Sequence, residues 1–329
     1  MSAAGAAAGP LATSHVPESA KWIAHVDLEA AAGTQLGRFA LDMIAEETDG
    51  YEEIRQGLPG FTFAPEGGLH AITVFGRSFE EEGEDFVALL YGTEKIAGWG
   101  DQLDRKMREH GYEAPKMEIR GARVWMIPAD EDEPMYAALT RHGDEHVWIV
   151  TRDASRAGKG VAFIRDGGRE NGALEGLGWR EGTIAIAAIK DPNEIEDFEE
   201  ISHIVGDARS VVARVGEADG EVFVEGRVRT DSPEHAQRIA RVADGLMALG
   251  SMMSGEDEEL AHVMQLAREI RVQADGGTLM LSFTHDAGEV VEWVRESADV
   301  NIDVDDAWDL EDEGEDWDED DDDFWGDDG

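Results

Sequence analysis

The first residues that could do chemistry lie in an early segment with the alternation of a β-strand. Between Trp22 and Leu28, apolar residues alternate with His25 and Asp27, and residues two apart on a strand point to the same face of a sheet. An imidazole and a carboxylate on one face could share a proton or hold a metal ion. His25 and Asp27 are therefore the candidates for a hydrolytic or metal-dependent active site. A solvated polar strand face is the competing interpretation.

A second candidate site lies in the segment His142-Gly-Asp-Glu-His146. If this segment turns back on itself, His142 and His146 approach each other together with two carboxylates, and these are ligands that suit zinc. A polar hairpin turn explains the same residues without a metal. The sequence therefore offers His142 and His146 as candidate metal ligands and requires no cofactor.

Three aromatic residues of the first half, Tyr91, Trp125 and Trp148, lie in predicted strands that are apolar in both registers. A sheet built from such strands has two apolar faces, and both must be covered. Packing against the second half of the chain or against another subunit would cover the additional face. A ligand groove lined by the three aromatic residues is the alternative. The oligomeric state is left open.

Signatures of common enzymes are absent from the sequence. The chain has no Cys, which excludes disulfides, thiolate metal sites and thiol nucleophiles. The segment Ala157-Gly-Lys-Gly160 lacks the upstream Gly and the hydroxyl residue of a phosphate-binding loop, and it is predicted to be helical. No nucleophile elbow, dinucleotide fingerprint or calcium loop is present. This favours a non-catalytic protein without excluding an enzyme.

The chain is strongly acidic. Its 74 acidic residues outnumber 28 basic residues and give a net charge of −46, so nucleic acid and anionic membrane surfaces are repelled. No apolar run approaches the roughly 20 residues that a membrane span requires. Adaptation to salty surroundings explains such an acidic, Lys-poor surface, and a charge directed at a partner is the alternative.

The C-terminal segment 301–329 combines acidity with interspersed aromatic residues. It has no Lys or Arg, its carboxylates repel one another, and its apolar surface is too small for a core. It is therefore predicted to be a disordered acidic tail. The aromatic residues indicate a linear motif that docks into a basic protein partner, with inert solvation as the alternative. The predicted partner-binding residues are Trp308, Trp317, Phe324 and Trp325.

The order of predicted strands and helices repeats along the chain. Each half has the pattern of a βαββαββα module, and hairpins between the central strands indicate mainly antiparallel sheets with helices on one face. The predicted fold class is α+β, with two tandem copies of one module and a helical hairpin inserted in the second. The predicted boundaries are a flexible N-terminal segment or signal remnant at 1–19, modules at 20–170 and 175–300, and the tail at 301–329.

Short local identities support the duplication. Thr151-Arg-Asp-Ala154 matches Thr284-His-Asp-Ala287, and Glu118-Ile-Arg120 matches Glu269-Ile-Arg271. Each match leads into the same predicted element in the two halves. We therefore expect the two threonines and the aspartates that follow them to occupy equivalent positions.

The opening of the chain resembles the mature start of uncharacterised exported bacterial proteins of the planctomycete type. The resemblance rests on the strand entry at 16–20, the strand end Val26-Asp27 and the helix start Leu36-Gly37. It implies export to the periplasm or the cell exterior and a repeated α+β build, and it brings no catalytic residues. If Met1 is the true start without a signal peptide, a cytoplasmic location is expected instead.

The sequence as a whole favours a non-catalytic, exported binding or interaction protein whose acidic tail recruits a basic partner. The first alternative is a metal-dependent or hydrolytic enzyme that uses His25 and Asp27. The second is a cytoplasmic acidic chaperone or nucleic-acid mimic. Convergence of the two candidate residues with other polar groups in one concave pocket would favour the enzyme.

Overall fold

The computed structural model describes the chain in several stretches. These are residues 11–47, 67–79, 85–109, 116–127, 134–167, 180–195, 208–253 and 268–299. Within them, segments of alternating polarity and short apolar runs form strands, and segments with apolar residues three or four apart form helices. None of the helices in these stretches is both long and apolar enough to span a membrane.

The strands in these stretches all belong to one sheet. They are β1 (Trp22–Asp27), β2 (Leu69–Gly76), β3 (Phe86–Gly92), β4 (Lys116–Ile119), β5 (Ala122–Ile127), β6 (Met135–His142), β7 (Glu145–Thr151), β8 (Thr183–Lys190), β9 (Ala208–Ala218), β10 (Glu221–Thr230), β11 (Arg271–Asp275) and β12 (Thr278–Asp286). Their order in the sheet is β11-β12-β10-β9-β8-β1-β2-β3-β7-β6-β5-β4. The predicted α+β class with antiparallel strand pairing is confirmed.

The helices follow the strands in a few short groups. They are α1 (Leu28–Gly33), α2 (Gln35–Glu47), α3 (Glu94–Ala97), α4 (Trp99–Glu109), α5 (Ala154–Asp166), α6 (Pro233–Met253) and α7 (Ala287–Asp299), with 3-10 turns η1 (Thr13–His15) and η2 (Pro192–Glu194). Asp153 caps α5 by accepting hydrogen bonds from the backbone N–H groups of Ser155 and Arg156. Such caps satisfy donors that the first helical turn leaves unpaired.

The two halves of the chain meet in the middle of the sheet. β1 pairs with β8, so that His25 lies opposite Ile186. Outward from this pair, the first half runs β1-β2-β3-β7-β6 and the second runs β8-β9-β10-β12-β11. The strand order is therefore the same on both sides, and the hairpin of β4 and β5 extends only the first half.

A helix cap also joins the two halves. The carboxylate of Glu217, on β9, accepts hydrogen bonds from the backbone N–H groups of Gln35 and Leu36, both at 2.8 Å. Glu217 is nearly buried, with 9% of its surface exposed. An anion at a helix N-terminus is stabilised by the helix dipole, so a residue of the second half supports α2 of the first.

The first half of the sheet is covered by helices on both faces. We call the face that carries Tyr91 and Val147 the α5 face, because α5 packs on it through Ala157 and Val161. The opposite face is the α4 face. The expectation of helices on one face is therefore wrong for this half, because strands that are apolar in both registers expose two apolar surfaces.

The second half of the sheet is covered by α6 on the α4 face. Ile239 of α6 packs with Val228 and Leu279. On the opposite face, Arg214 lies across from Glu225, and its guanidinium binds that carboxylate. This half therefore has one apolar and one polar face, as alternating strands predict.

Part of the predicted flexible N-terminal segment is packed against the sheet. From residue 11 onward the chain is described, and the side chains of His15 and Val16 are 2% and 0% exposed. Val16 belongs to the apolar cluster under α5. The segment 11–20, which we call the N-terminal strap, is therefore part of the folded body. Residues 1–10 lie outside the described residues.

Several predicted elements differ from those observed. β4 and β6 were not predicted as strands. The matched segments Glu118-Ile-Arg120 and Glu269-Ile-Arg271 also differ in their surroundings, because the first begins in the edge strand β4 and the second leads into β11, which pairs with β12. This local identity therefore does not connect equivalent strands of the two halves. The second helix of the predicted helical hairpin lies outside the described residues, as does most of the predicted module boundary. From Glu292 onward the chain forms a separate unit, of which only the end of α7 is described.

Candidate functional site

A groove of about 680 Å3 lies between α5, the N-terminal strap and strands β2 and β3. We call it the α5 groove. Phe75 and Val87 supply apolar surface from the sheet, Phe163 and Ala162 supply it from α5, and Pro17 closes the strap side. Its volume is within the range of sites that hold small molecules.

Basic residues line the groove in an otherwise acidic protein. Asp85 is shared by Arg77, whose Nη2 lies 3.2 Å from its Oδ1, and by Arg156. Arg120 and Lys159 complete the basic lining, and the carboxylates of Glu18 and Asp166 also reach it. Among the described residues, the lining thus has four basic and three acidic residues, whereas the whole chain has 28 basic and 74 acidic residues.

Two glycines let α5 approach the sheet closely. A Cβ atom at Gly158 would lie 2.4 Å from Cγ2 of Ile119, and one at Gly160 would lie 3.1 Å from Cγ2 of Ile149. Larger side chains at these positions would push the helix away from β4 and β7. The Gly-Lys-Gly segment is helical as predicted, and its glycines serve close packing.

His25 is buried in a polar network on the α5 face. Only 2% of its surface is exposed, and its Nδ1 lies 2.8 Å from Oγ1 of Thr73 on the neighbouring strand. Thr73 also hydrogen-bonds the hydroxyl of Tyr91. Burial lowers the pKa of His25 to about 4, because the charged imidazolium would lose its hydration.

Asp27 serves as the N-cap of α1. Its Oδ1 accepts a hydrogen bond from the backbone N–H of Ala30 at 2.8 Å, and only 1% of the residue is exposed. Burial raises its pKa to about 6, with the nearby charge of Glu29 adding to the shift and the backbone hydrogen bond opposing it. The register of β1 places His25 and Asp27 on one face, yet each is held by a structural partner, and neither lines the α5 groove.

His15 extends the polar network and could not be identified from the sequence pattern. Its Nδ1 lies 3.2 Å from the hydroxyl of Tyr91, and its ring contacts the edge of His142 at a centroid distance of 4.6 Å. Burial, and then the proximity of His142, lower the pKa of His15 to about 4. Its Nε2 is buried and has no hydrogen-bond partner among the described residues, so the charged ring would bury an unpaired N–H group.

His142 and His146 lie on opposite faces of the sheet. In the hairpin of β6 and β7, His142 pairs with Glu145 and Arg141 pairs with His146. His142 therefore points toward the N-terminal strap, whereas Nε2 of His146 lies 3.1 Å from Glu94 at the start of α3. The predicted pair of metal ligands is not brought together.

The three predicted groove aromatics are also divided between the faces. Trp148 lies opposite Leu90, and Tyr91 lies opposite Val147, so Tyr91 and Trp148 point away from each other. Trp125 and Trp148 do meet, with ring centroids 5.0 Å apart. They form the core beneath α3 and α4 together with Trp99.

The indoles of Trp125 and Trp148 each donate a hydrogen bond. Nε1 of Trp148 donates to the backbone carbonyl of Ile96 at 2.7 Å, and Nε1 of Trp125 donates to Asp104 at 3.1 Å. Helices of the first half itself therefore cover the second apolar face, where packing against the other half, another subunit or a ligand was expected. The predicted partner-binding residues Trp308, Trp317, Phe324 and Trp325 lie outside the described residues.

The comparisons with known proteins give structural likeness only. No family model matches the chain. No curated protein matches it either. Crystal form III of TP0453 superposes with a TM-score of 0.46 at 10% identity, covering 87% of this chain and 98% of that one. Crystal form I of TP0453 gives a TM-score of 0.44 at 9% identity, covering 87% and 97%. Likeness at this level assigns neither a family nor a function to the chain.

Proposed function

We propose that this chain is a non-catalytic binding protein whose ligand occupies the α5 groove. The observation that carries the proposal is the groove itself, which is concave, has an apolar lining from two strands and a helix, and has charged groups at its margin. Sites for small molecules combine these features. The groove also differs from the open polar face of the second half, where ion pairs occupy the equivalent surface.

The placement of His25 and Asp27 supports a non-catalytic protein over the enzyme alternative. A general base must reach the proton that it removes, and both side chains are buried in hydrogen bonds with Thr73 and with the start of α1. The α5 groove has neither residue in its lining. Replacement of either residue is therefore expected to change stability and to leave groove binding in place.

Blocking the groove tests the proposal. Ala162 lines the groove and Arg165, on the same helix, does not, so Ala162→Trp and Arg165→Trp are a matched pair. In saturation-transfer NMR with a small-molecule library of mixed charge, we expect the wild type and Arg165→Trp to bind the same compounds and Ala162→Trp to lose them. The proposal is wrong if the folded Ala162→Trp variant keeps all the compounds, or if the wild type binds none.

We also propose that the two halves arose by duplication of one module. The shared strand order supports it, as do the caps at equivalent places, because Asp153 caps α5 after β7 and Asp286 accepts a hydrogen bond from the backbone N–H of Glu289 after β12. An experimental structure should superpose the two central five-strand sets with Thr151 on Thr284. A shifted register would contradict the duplication.

Export and tail-dependent recruitment of a basic partner complete the proposed function. Export rests on the resemblance of the opening segment, and cell fractionation of the native host tests it.

The tail proposal rests on acidic residues interleaved with indoles, since docked indoles should hold a partner at salt concentrations that screen carboxylates. At moderate salt, a pull-down with the wild type should recover a basic protein. The triple Trp308, Trp317 and Trp325 to Ala variant should lose it, and unchanged recovery would contradict docking.

A further inference from the structure

We propose that the α5 groove selects an organic anion with an apolar body. This inference rests on the proposed function, because it assigns the chemical class of the ligand in the same groove. Phe75, only 7% exposed, forms the apolar surface with Val87 and Phe163. The apolar part of the ligand would remove this surface from water, and the basic residues around it would bind the ligand's anionic group.

A shared carboxylate holds two guanidinium groups in place at the groove. The side chain of Asp85 is 19% exposed and binds both Arg77 and Arg156. Asp153, the N-cap of α5, also lies 3.6 Å from Arg156, so two carboxylates pair with the two guanidinium groups. These ion pairs hold the two arginines in place at the groove, and a preference for an anion must come from the other basic residues of the lining.

Two further cations have no ion pair within the described part of the chain. Arg120 follows Ile119 directly, and Lys159 follows Gly158 directly. Because a Cβ at Gly158 would lie 2.4 Å from Ile119, the close contact between helix and strand brings the backbones of Arg120 and Lys159 near each other. Both side chains line the groove, and together they can bind one anionic group.

The acidic residues of the lining limit this preference without removing it. Glu18 and Asp166 are exposed, as are Arg120 and Lys159, so water screens all four charges alike. Glu18 belongs to the strap and Asp166 is the last residue of α5. The preference for an anion therefore depends on direct hydrogen bonds from Lys159 and Arg120, and the overall negative charge of the chain acts against it.

Three ligands with one aromatic body separate charge from apolar contact. They are naphthalene-1-carboxylate, naphthalene-1-carboxamide and 1-naphthylmethylammonium. By calorimetric titration of the full chain, we expect the carboxylate to bind about 10-fold more tightly than the carboxamide, as a charge-assisted hydrogen bond provides. The ammonium compound should bind most weakly.

Variants then assign the charge preference to named residues. Lys159→Gln and Arg120→Gln should each weaken carboxylate binding by about 3- to 10-fold and leave carboxamide binding unchanged. Arg165→Gln is the matched control on the same helix and should leave all affinities unchanged. Thermal unfolding of each variant checks that the fold is intact.

The outcomes separate the two proposals. If Ala162→Trp abolishes binding but the carboxamide or the ammonium compound binds as tightly as the carboxylate, the groove is a binding site and the anion assignment is wrong. The same holds if Lys159→Gln and Arg120→Gln leave carboxylate affinity unchanged. If no naphthyl compound binds in a way that depends on Ala162, the anion assignment fails, and the library experiment decides the proposed function separately.

Discussion

The two halves of the sheet use the same strand order around different interiors. Outward from the central pair on the α5 face, the first half places His25, Thr73 and Leu89 side by side, and the second half places Ile186, Arg214 and Glu225 in the corresponding places. The first series is buried beneath the strap and α5, and the second is partly open. One strand order can therefore support an apolar groove on one side and an ion-pair surface on the other.

The ion-pair surface of the second half is a local network. Arg180 and Arg214 both bind Glu225, and the guanidinium of Arg180 lies 3.9 Å from the ring centroid of Phe223. Although burial acts to raise it, the hydrogen bonds from the two arginines hold the pKa of Glu225 below its usual range. Phe223 is only 1% exposed, because the stacked arginine covers its ring. In the first half, α5 covers the apolar side chains of this face.

The largest difference between the halves should appear in their apolar cores. Trp148→Ala removes an indole that is 3% exposed and leaves the carbonyl of Ile96 without its donor, so we expect a loss of roughly 3–5 kcal/mol in the free energy of unfolding. On the proposed alignment its counterpart is Leu281, which is only partly buried against α6. Leu281→Ala should lose roughly 1–2 kcal/mol. Urea unfolding measures both, and equal losses would contradict the comparison.

Acid should destabilise the protein through the buried histidines of the first half. The pKa values of His15 and His25 fall from 6.5 to about 4 on folding, so between pH 6.5 and 4 the unfolded chain binds protons that the folded chain excludes. The stability from these residues is present above the unfolded pKa and is lost as the pH falls through this window. Asp27 acts oppositely, because its pKa rises from 3.8 to about 6 and the folded state gains its proton first.

Replacing His25 by the residue type that faces it from the second half, Ile186, tests this assignment. Between pH 7 and 4.5, His25→Ile should lose roughly 2–3 kcal/mol less stability than the wild type. Over the same pH range, Asp27→Asn should lose more stability than the wild type, because it removes the carboxyl group whose protonation stabilises the folded state in acid. Chemical denaturation over a pH series measures the three curves. If the stability of His25→Ile has the same pH dependence as that of the wild type, the ring of His25 is protonated normally in the folded wild type.

The smallest expected effects compare the two polar networks directly. Thr73→Val removes a hydroxyl that contacts His25 and Tyr91 inside the sheet, and we expect a loss of roughly 1–3 kcal/mol. Arg214→Met should change stability by less than about 1 kcal/mol, because Arg180 still pairs with Glu225 and the apolar stem is retained. Thermal and urea unfolding check both. A larger loss for Arg214→Met would mean that the ion pairs hold the second half together.

Much of the strand content could be predicted from local sequence patterns. β1 alternates apolar and polar residues, β3 and β7 contain short apolar runs, and the caps at Asp153 and Asp286 follow from residue type and position. β6 was missed because its segment Met135-Tyr-Ala-Ala-Leu-Thr is rich in residues that also favour helices. Its strand conformation comes from pairing with β5 on one side and β7 on the other.

The candidate site shows where sequence spacing stops being informative. A spacing of four would place His142 and His146 on one face of a continuous strand, but the turn at Gly143 and Asp144 reverses the chain between them and puts them on opposite faces. The α5 groove draws residues from the strap, the sheet and the helix. The sequence pattern of each segment does not show that these three segments meet in the folded protein.

Residue type and local order by themselves determined the strongly acidic character, the α+β class, the antiparallel hairpins and the helix starts, because these depend on periodicity, charge and short-range hydrogen bonds. Only the tertiary structure decided that the halves share one sheet, that helices cover both faces of the first half, and that His15 and Lys159 lie where they do. These features depend on contacts between segments far apart in the chain, and such contacts form only where the packing of side chains and the pairing of strands agree.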